Sequence, residues 1–208
     1  MGVERRSFDP VNVYKNMKSL VLASASPRRK DLLQQHGYEV QIKPAGIEEV
    51  IPDYLTVGEI TLLNAKLKAE YVASQEPEQL VVAADTLVSY QGHILGKPND
   101  LQEAFKMLSM LSGKTHEVYS GVWLCRQNAG QAKGFIEASQ VTFRNVTPEE
   151  IHEYMARIGP MDKAGAYAAQ ENELDLIASI QGSWTNVVGL PMETLEETLK
   201  EFEEFAVK

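Results

Sequence analysis

The sequence predicts an α/β protein with a mixed β-sheet flanked by helices, and three observations lead to that class. Short apolar runs alternate with helical segments through the first half of the chain, as in proteins whose helices pack on a sheet. Capping residues stand at the starts of several helical segments, so these starts can be placed. Two longer segments in the second half alternate apolar and polar residues, which is typical of antiparallel strands.

In the first half of the chain, capping residues mark the helix ends. Ser26 is a natural N-cap, and Pro27 suits the first position of a helix that stops at Gly37. Thr56 and Glu59 have the spacing of a capping box that opens a longer helix. We therefore predict strands over 20–23, 38–42 and 80–84 and helices over 27–36 and 57–73.

The second half combines hairpins with three further helices. Leu87 to Leu95 has the pattern of a hairpin that turns at Gln91 and Gly92. The other strands are predicted over 118–126, 135–144 and 174–180, and the helices after Asp100 as far as Gly113, after Thr147, and from about Pro191.

Length and charge indicate one globular domain that acts on small ligands. The 208 residues fit one domain or one domain with a small lobe, and we assign 1–16 to an N-terminal extension and 17–208 to the domain. The 29 acidic and 20 basic residues give a net charge of −9, which argues against binding nucleic acid. A small phosphorylated ligand needs only a local basic pocket and is compatible with that charge.

The sequence also indicates a cytoplasmic protein that does not enter a membrane. Cys125 is the single cysteine, so an internal disulfide is excluded and a reducing compartment is favoured. No apolar run approaches the roughly 18 residues of a membrane span. The polar N-terminal stretch lacks the apolar core of a secretory signal.

A first candidate for chemistry lies where the first strand feeds a helix. Two hydroxyls (Ser24, Ser26), two guanidiniums (Arg28, Arg29) and the free N–H groups of a helix start suit an anion. The alternative, a capped helix with two solvated arginines, fits the segment equally well.

Asp85 is the second candidate, because an apolar run delivers it to the end of a buried strand, where α/β sheets bind ligands. An acid there can hold a metal or take a proton from water. Lys68 and Lys97 are each typical of a surface, yet together with the arginines they could neutralise a triphosphate. One acid of Glu48–Glu49 could join Asp85 as a magnesium ligand.

Nine short sequence motifs, in their order and residue identities, resemble those of the Maf family of nucleotide pyrophosphatases. They extend from Leu20 to about Leu199. The motifs are LASASPRR, GIEE, AKLKA, AADT, LGKP, MLSMLSGKTHEVYSGV, VTFRNVTPEEI, DKAGAYAAQ and GSWTNVVGLP. The resemblance implies an elongated fold like that of inosine triphosphate pyrophosphatases, with a cleft between two lobes. It also implies a homodimer, and hydrolysis of a nucleoside triphosphate to the monophosphate and pyrophosphate with a divalent cation (Mg²⁺ or Mn²⁺).

The resemblance also implies roles for individual residues. Asp85 would accept a proton or act as a metal-linked acid, and Glu49 would assist with metal or water. Lys68 and Lys97 would hold phosphates. The residues implied for the phosphate pocket are Ser24, Ser26 and Arg29.

Three positions point to the dTTP and UTP branch of the family. Arg28, Thr86 and Gln170 stand where that branch has arginine, threonine and glutamine, whereas the 7-methyl-GTP branch has tryptophan, glutamine and glutamate. The alternatives left open are an enzyme for other modified nucleotides and a non-catalytic nucleotide-binding regulator of cell division. Departures from the family pattern occur at Leu67, Asp31 and Glu171.

Overall fold

The computed structural model describes residues 18–171 and 176–204. The predicted extension over 1–16 lies outside these residues, as does the start of the strand predicted over 174–180. No helix within the described ranges is long and apolar enough to span a membrane.

The described residues form seven strands and six α-helices. The strands are β1 (Lys18–Leu22), β2 (Tyr38–Ile42), β3 (Val81–Tyr90), β4 (His93–Leu95), β5 (Thr115–Arg126), β6 (Gln131–Phe143) and β7 (Ile177–Gln181). The helices are α1 (Pro27–Gln35), α2 (Val57–Ala73), α3 (Leu101–Leu111), α4 (Pro148–Ile158), α5 (Trp184–Val188) and α6 (Met192–Glu204). Short 3₁₀ turns cover Gln127–Ala129, Pro160–Asp162, Ala164–Ala166 and Ala169–Glu171.

All seven strands belong to one mixed sheet with the order β2-β1-β3-β5-β6-β7, and β4 pairs with β3 outside that path. β1 is parallel to β2 and to β3, whereas the pairs β3–β4, β3–β5, β5–β6 and β6–β7 are antiparallel. The prediction of an α/β protein with a mixed sheet flanked by helices is confirmed.

β3 has one continuously paired edge and one interrupted edge. β5 pairs with nine of its ten residues, from Val81 to Ser89. On the opposite edge, β1 pairs only as far as Val82, and β4 begins only at Val88. Among the described strands, none lies beside β3 between these two points. We call this interval the β3 gap, and it contains Asp85 and Thr86.

Alternation along β3 divides its side chains between two hydrophobic clusters. Val81 and Ala83 pack in a small cluster with residues of α2, while Val82 and Ala84 pack in the main core. Asp85 continues the face that α2 covers. Gly121, which pairs with Asp85 in β5, lets the α2 backbone approach closely, because a Cβ there would lie 2.2 Å from the Leu62 nitrogen.

Several boundaries differ from the predicted ones. The prediction that the second buried strand ends at Asp85 is wrong, because β3 continues to Tyr90 and includes the first arm of the predicted hairpin. The helix predicted over 57–73 is confirmed with its capping box. α5 and the 3₁₀ turns were not predicted. Cys125 is buried and forms no disulfide.

Candidate active site

The ten residues that the sequence singles out all line one cleft of about 680 Å³. They come from six parts of the chain that the fold brings to the β3 gap. These residues are Ser24, Ser26, Arg28, Arg29, Glu49, Lys68, Asp85, Thr86, Lys97 and Gln170. Of the two acids Glu48 and Glu49, only Glu49 is among the cleft-lining residues.

Lys68 links two acids of the cleft, Asp85 and Glu49. Its Nζ lies 2.7 Å from Asp85 Oδ1 and 2.5 Å from Glu49 Oε1. The side chains of Lys68 and Asp85 are 12% and 6% exposed, whereas that of Glu49 is 42% exposed. The acids therefore share one buried ammonium, with Asp85 inside and Glu49 at the mouth.

The surroundings move the pKa values of the two acids in opposite directions. Burial raises the pKa of Asp85, the negative charge of Glu49 adds to the rise, and the Lys68 ammonium opposes it. Burial also acts to raise the pKa of Glu49, but the hydrogen bond and charge of Lys68 outweigh burial and lower it. Burial therefore makes Asp85 a stronger base than an exposed aspartate, which suits a proton acceptor.

Arg29 is fixed by three hydrogen bonds on the other side of the gap. Its Nε donates to the Gly189 carbonyl at 2.8 Å, and its terminal nitrogens donate to Ser24 Oγ at 3.1 Å and Thr86 Oγ1 at 3.0 Å. Thr86 Oγ1 also lies 2.9 Å from Ser120 Oγ. Burial lowers the pKa of Arg29, although Asp85 acts to raise it. The guanidinium is a preset positive charge in the cleft.

Arg28 contacts a third acid of the cleft. Its NH1 lies 3.3 Å from Asp162 Oδ2, and Asp162 Oδ1 accepts from Lys163 Nζ at 2.6 Å. Lys163 is itself buried, and it donates to the carbonyls of Ile158 and Gly159 at the end of α4. The ion pair thus joins the start of α1 to the segment that follows α4.

Lys97 and Gln170 line the cleft with unused polar groups. Within residues 18–171 and 176–204, neither side chain makes a hydrogen bond or an ion pair. Gln170 is exposed. Both side chains are available to a ligand.

Asp85 and Glu49 are the residues that could hold a divalent cation. The described residues contain no group of three or more His, Cys, Asp or Glu side chains placed for a metal. Mg²⁺ in nucleotide enzymes commonly uses one or two carboxylates, with water and substrate phosphate completing its shell. The pair that converges on Lys68 fits that requirement.

Some residues of the site have no signal in the sequence. Gly189 contributes its backbone carbonyl, which accepts a hydrogen bond from Arg29. Ser120 lies beside Thr86 because of the register in which β5 pairs with β3. Asn64 was also missed, although its position four residues before Lys68 puts both on one helical face. Leu67 is partly exposed and outside the cleft, Asp31 is exposed, and the side chain of Glu171 lies outside the described residues.

Comparisons with known proteins assign the chain to a family. A family model described as Maf-like protein matches residues 19–202. The dTTP/UTP pyrophosphatase of Bacillus cereus (strain ATCC 10987 / NRS 248) is 43% identical over 187 residues, which cover 90% of this chain and 91% of the relative. That of Bacillus cytotoxicus is 43% identical and covers 90% and 97%.

A solved structure, the Ham1 protein of Staphylococcus aureus, aligns with 88% of this chain and 99% of its own at 17% identity and a TM-score of 0.46. The family model and the relatives span nearly the whole described chain. The family that they indicate agrees with the sequence motifs whose residues line the cleft. The chain belongs to the Maf family.

Proposed function

We propose that this protein hydrolyses dTTP and UTP to the nucleoside monophosphate and pyrophosphate. The observation that carries the proposal is the cleft itself, where a buried acid with a raised pKa lies among basic side chains that suit a triphosphate. The relatives named dTTP/UTP pyrophosphatase, at 43% identity over almost the full chain, support this choice of substrate.

The reaction follows from the positions of the charges. Asp85 takes a proton from a water molecule, whose oxygen attacks the α-phosphorus. The bond from that phosphorus to the α–β bridging oxygen breaks, and pyrophosphate leaves with the bonding electrons. Arg29, Lys68 and Lys97 neutralise the phosphate oxygens while charge builds up on the leaving group. Each of these three cations lines the cleft.

A divalent cation, Mg²⁺ or Mn²⁺, completes the proposal, with Asp85 and Glu49 as the residues that would hold it. When bound, the cation supplies charge to the phosphate oxygens and acidity to water. Lys68 lies between the same two acids, so its ammonium also keeps them together in the free protein.

Asp85→Asn tests the reaction directly. The amide cannot accept a proton from water, so kcat should fall roughly 100- to 10,000-fold, the usual range for losing a general base. Purified protein is incubated with Mg²⁺ or Mn²⁺ and a panel of dTTP, UTP, CTP, their 5-methyl forms, GTP, 7-methyl-GTP and ITP. Phosphate and pyrophosphate are measured separately.

Glu39→Gln is the matched control, since Glu39 is exposed in β2 and lies outside the cleft. It should keep the wild-type kcat. Release of orthophosphate in place of pyrophosphate would show that a different bond is cleaved. Nucleotide binding without any turnover would favour the non-catalytic regulator.

Gln170 is proposed to select the pyrimidine base. Its amide can donate and accept at once, which suits the imide face of uracil or thymine. Gln170→Glu removes the donor and adds a charge that repels the base carbonyls. We expect kcat/KM for dTTP to fall at least about tenfold, a change of about 1.4 kcal/mol.

Gln34→Glu, an exposed position at the end of α1, controls for the added charge and should leave kcat/KM unchanged. Arg28 and Thr86 belong to the same proposed base-selecting set. An unchanged pyrimidine preference in Gln170→Glu would remove Gln170 from that set.

We further propose that the protein is a cytoplasmic homodimer. Its single cysteine is free and buried, which suits a reducing compartment. An apolar groove of about 660 Å³ beside α2 is bordered by exposed Ile51 and Ile136, and an interface would cover these side chains. Sedimentation equilibrium at micromolar concentration tests the dimer, and a monomer mass would refute it.

A further inference from the structure

Asn64 is a buried amide on the face of α2 that packs against the sheet. It is 2% exposed and lies one helical turn before Lys68. A buried amide destabilises a protein unless its hydrogen-bonding groups are paired. The partners of Asn64 therefore indicate what the residue does.

The backbone of Val50 fixes the orientation of this amide. The Val50 N–H donates to Asn64 Oδ1 at 2.9 Å, so that end of the amide must be the oxygen. Asn64 Nδ2 then donates to the Val50 carbonyl at 3.0 Å and to Asp85 Oδ2 at 3.4 Å. The oxygen and both amide hydrogens are thus used.

Those three hydrogen bonds connect the two acids of the cleft. Val50 follows Glu49 directly in the chain, so the amide holds the backbone of the Glu49 loop against the Asp85 carboxylate on β3. Lys68 reaches both acids as well, but through a long flexible side chain whose ammonium can follow a displaced carboxylate. A short amide bonded to backbone has no such freedom.

We propose that Asn64 is a positioning residue that holds the Glu49 loop and Asp85 at the spacing the hydrolysis requires, an inference that rests on the function proposed above. It acts through the two acids and does not touch the substrate. Displacing a reacting group by about 1 Å can lower a rate roughly 100-fold, so losing this clamp should lower kcat more than it changes KM.

Asn64→Leu tests the clamp, since leucine has a similar volume and makes none of the three hydrogen bonds. We expect kcat for dTTP to fall at least about tenfold while KM changes less than about threefold. The Val50 amide proton, followed by NMR, should exchange faster than in the wild type, because it has lost its acceptor. This second measurement does not depend on catalysis.

Thr61→Val is the matched control on the same helix. Thr61 is buried and its hydroxyl donates to the Gly58 carbonyl, so the variant loses a buried hydrogen bond without touching either acid. It should keep the wild-type kcat and the slow exchange of Val50. Asn64→Asp serves if the leucine variant does not fold, because it keeps the acceptor for Val50 and loses the donors. It should retain slow exchange at Val50 and still lose kcat.

The inference is overturned if Asn64→Leu and Asn64→Asp keep kcat within about twofold of the wild type, or lose it only in proportion to the folded fraction, as a purely structural residue would. A wild-type protein that releases no pyrophosphate refutes the proposed function instead. In that case, exchange of the Val50 amide proton in Asn64→Leu still tests whether Asn64 holds the Glu49 loop. An unchanged exchange rate overturns the inference.

Discussion

At the scale of single residues, the cleft contains three basic side chains that hydrogen bonds already hold and one, Lys97, that makes no hydrogen bond within the described residues. Arg29 donates to Gly189, Ser24 and Thr86, so its guanidinium needs no further ordering when a phosphate arrives. Lys97 makes no hydrogen bond within the described residues, and binding must order its side chain. We expect the two to contribute differently, with Arg29 supplying preset charge and Lys97 closing on the ligand.

His116 connects the same cleft to the core and makes stability depend on pH. It is 2% exposed, its Nε2 lies 2.8 Å from the hydroxyl of Tyr167, and Tyr167 lines the cleft. Burial lowers the pKa of His116 to about 4. The unfolded chain, with a pKa near 6.5, therefore binds a proton that the folded protein excludes between these values.

The stability contributed by neutral His116 is thus complete above about pH 6.5 and is lost as the pH falls toward 4. The wild type should lose about 3 kcal/mol more than His116→Gln across this interval in urea unfolding. His93→Gln, at an exposed position in β4, should behave like the wild type. Parallel curves for the wild type and His116→Gln would contradict the expectation.

At the scale of elements, the contact between α2 and β5 positions the helix that carries Lys68. A Cβ on Gly121 would lie 2.2 Å from the Leu62 nitrogen and 2.3 Å from the Thr61 carbonyl carbon, which are backbone atoms that no rotamer change can move. Gly121→Ala should therefore destabilise the protein by about 2 kcal/mol or more. Because α2 also carries Lys68, kcat should fall even where the variant is fully folded.

Thermal unfolding and steady-state kinetics check this expectation. Gly96→Ala is the control for stability, since a Cβ there meets open space and its backbone is not left-handed. A Gly121→Ala variant with wild-type stability would mean that α2 can move away from the sheet without loss.

Helices whose ends carry capping residues are the elements that could be predicted from the sequence. The capping box at Thr56 and Glu59 predicted the start of α2, because side-chain hydrogen bonds to the first turn are local. The end of β3 was misplaced, since a carboxylate after an apolar run looks like a strand end. Pairing with β5 and β4, which is not local, carries the strand on to Tyr90.

The residues of the site also form two groups, those that a local motif reveals and those that depend on tertiary contacts. Arg29 and Asp85 stand in motifs that can be read along the chain. Gly189 has no side chain to signal its carbonyl, and Asn64 becomes informative only when α2 lies against β3. α5 has five residues and depends on tertiary packing, so local propensity does not reveal it.

At the scale of the whole molecule, a chain of net charge −9 gathers four basic side chains around one cleft. Anions should therefore bind there and stabilise the fold. A UTP analogue with methylene in place of the α–β bridging oxygen, at 100 times its Kd with Mg²⁺, should add about 2.7 kcal/mol of stability. For a chain of this size the melting temperature should rise by roughly 5–10 °C.

The corresponding GTP analogue at the same concentration is the comparison, and it should raise the melting temperature less. Differential scanning fluorimetry measures both. Equal shifts for the two analogues would show that the cleft recognises the triphosphate without choosing the base.

The β3 gap also bears on how the protein avoids association through its sheet. An unpaired strand edge is a template on which another chain can add a strand and start aggregation. Here the free edge lies between Val82 and Val88, with β1 closing one end and β4 the other. An incoming strand of ordinary length would collide with both. The pairing of β3 can therefore be interrupted beside the cleft without offering a long free edge to a neighbouring polypeptide.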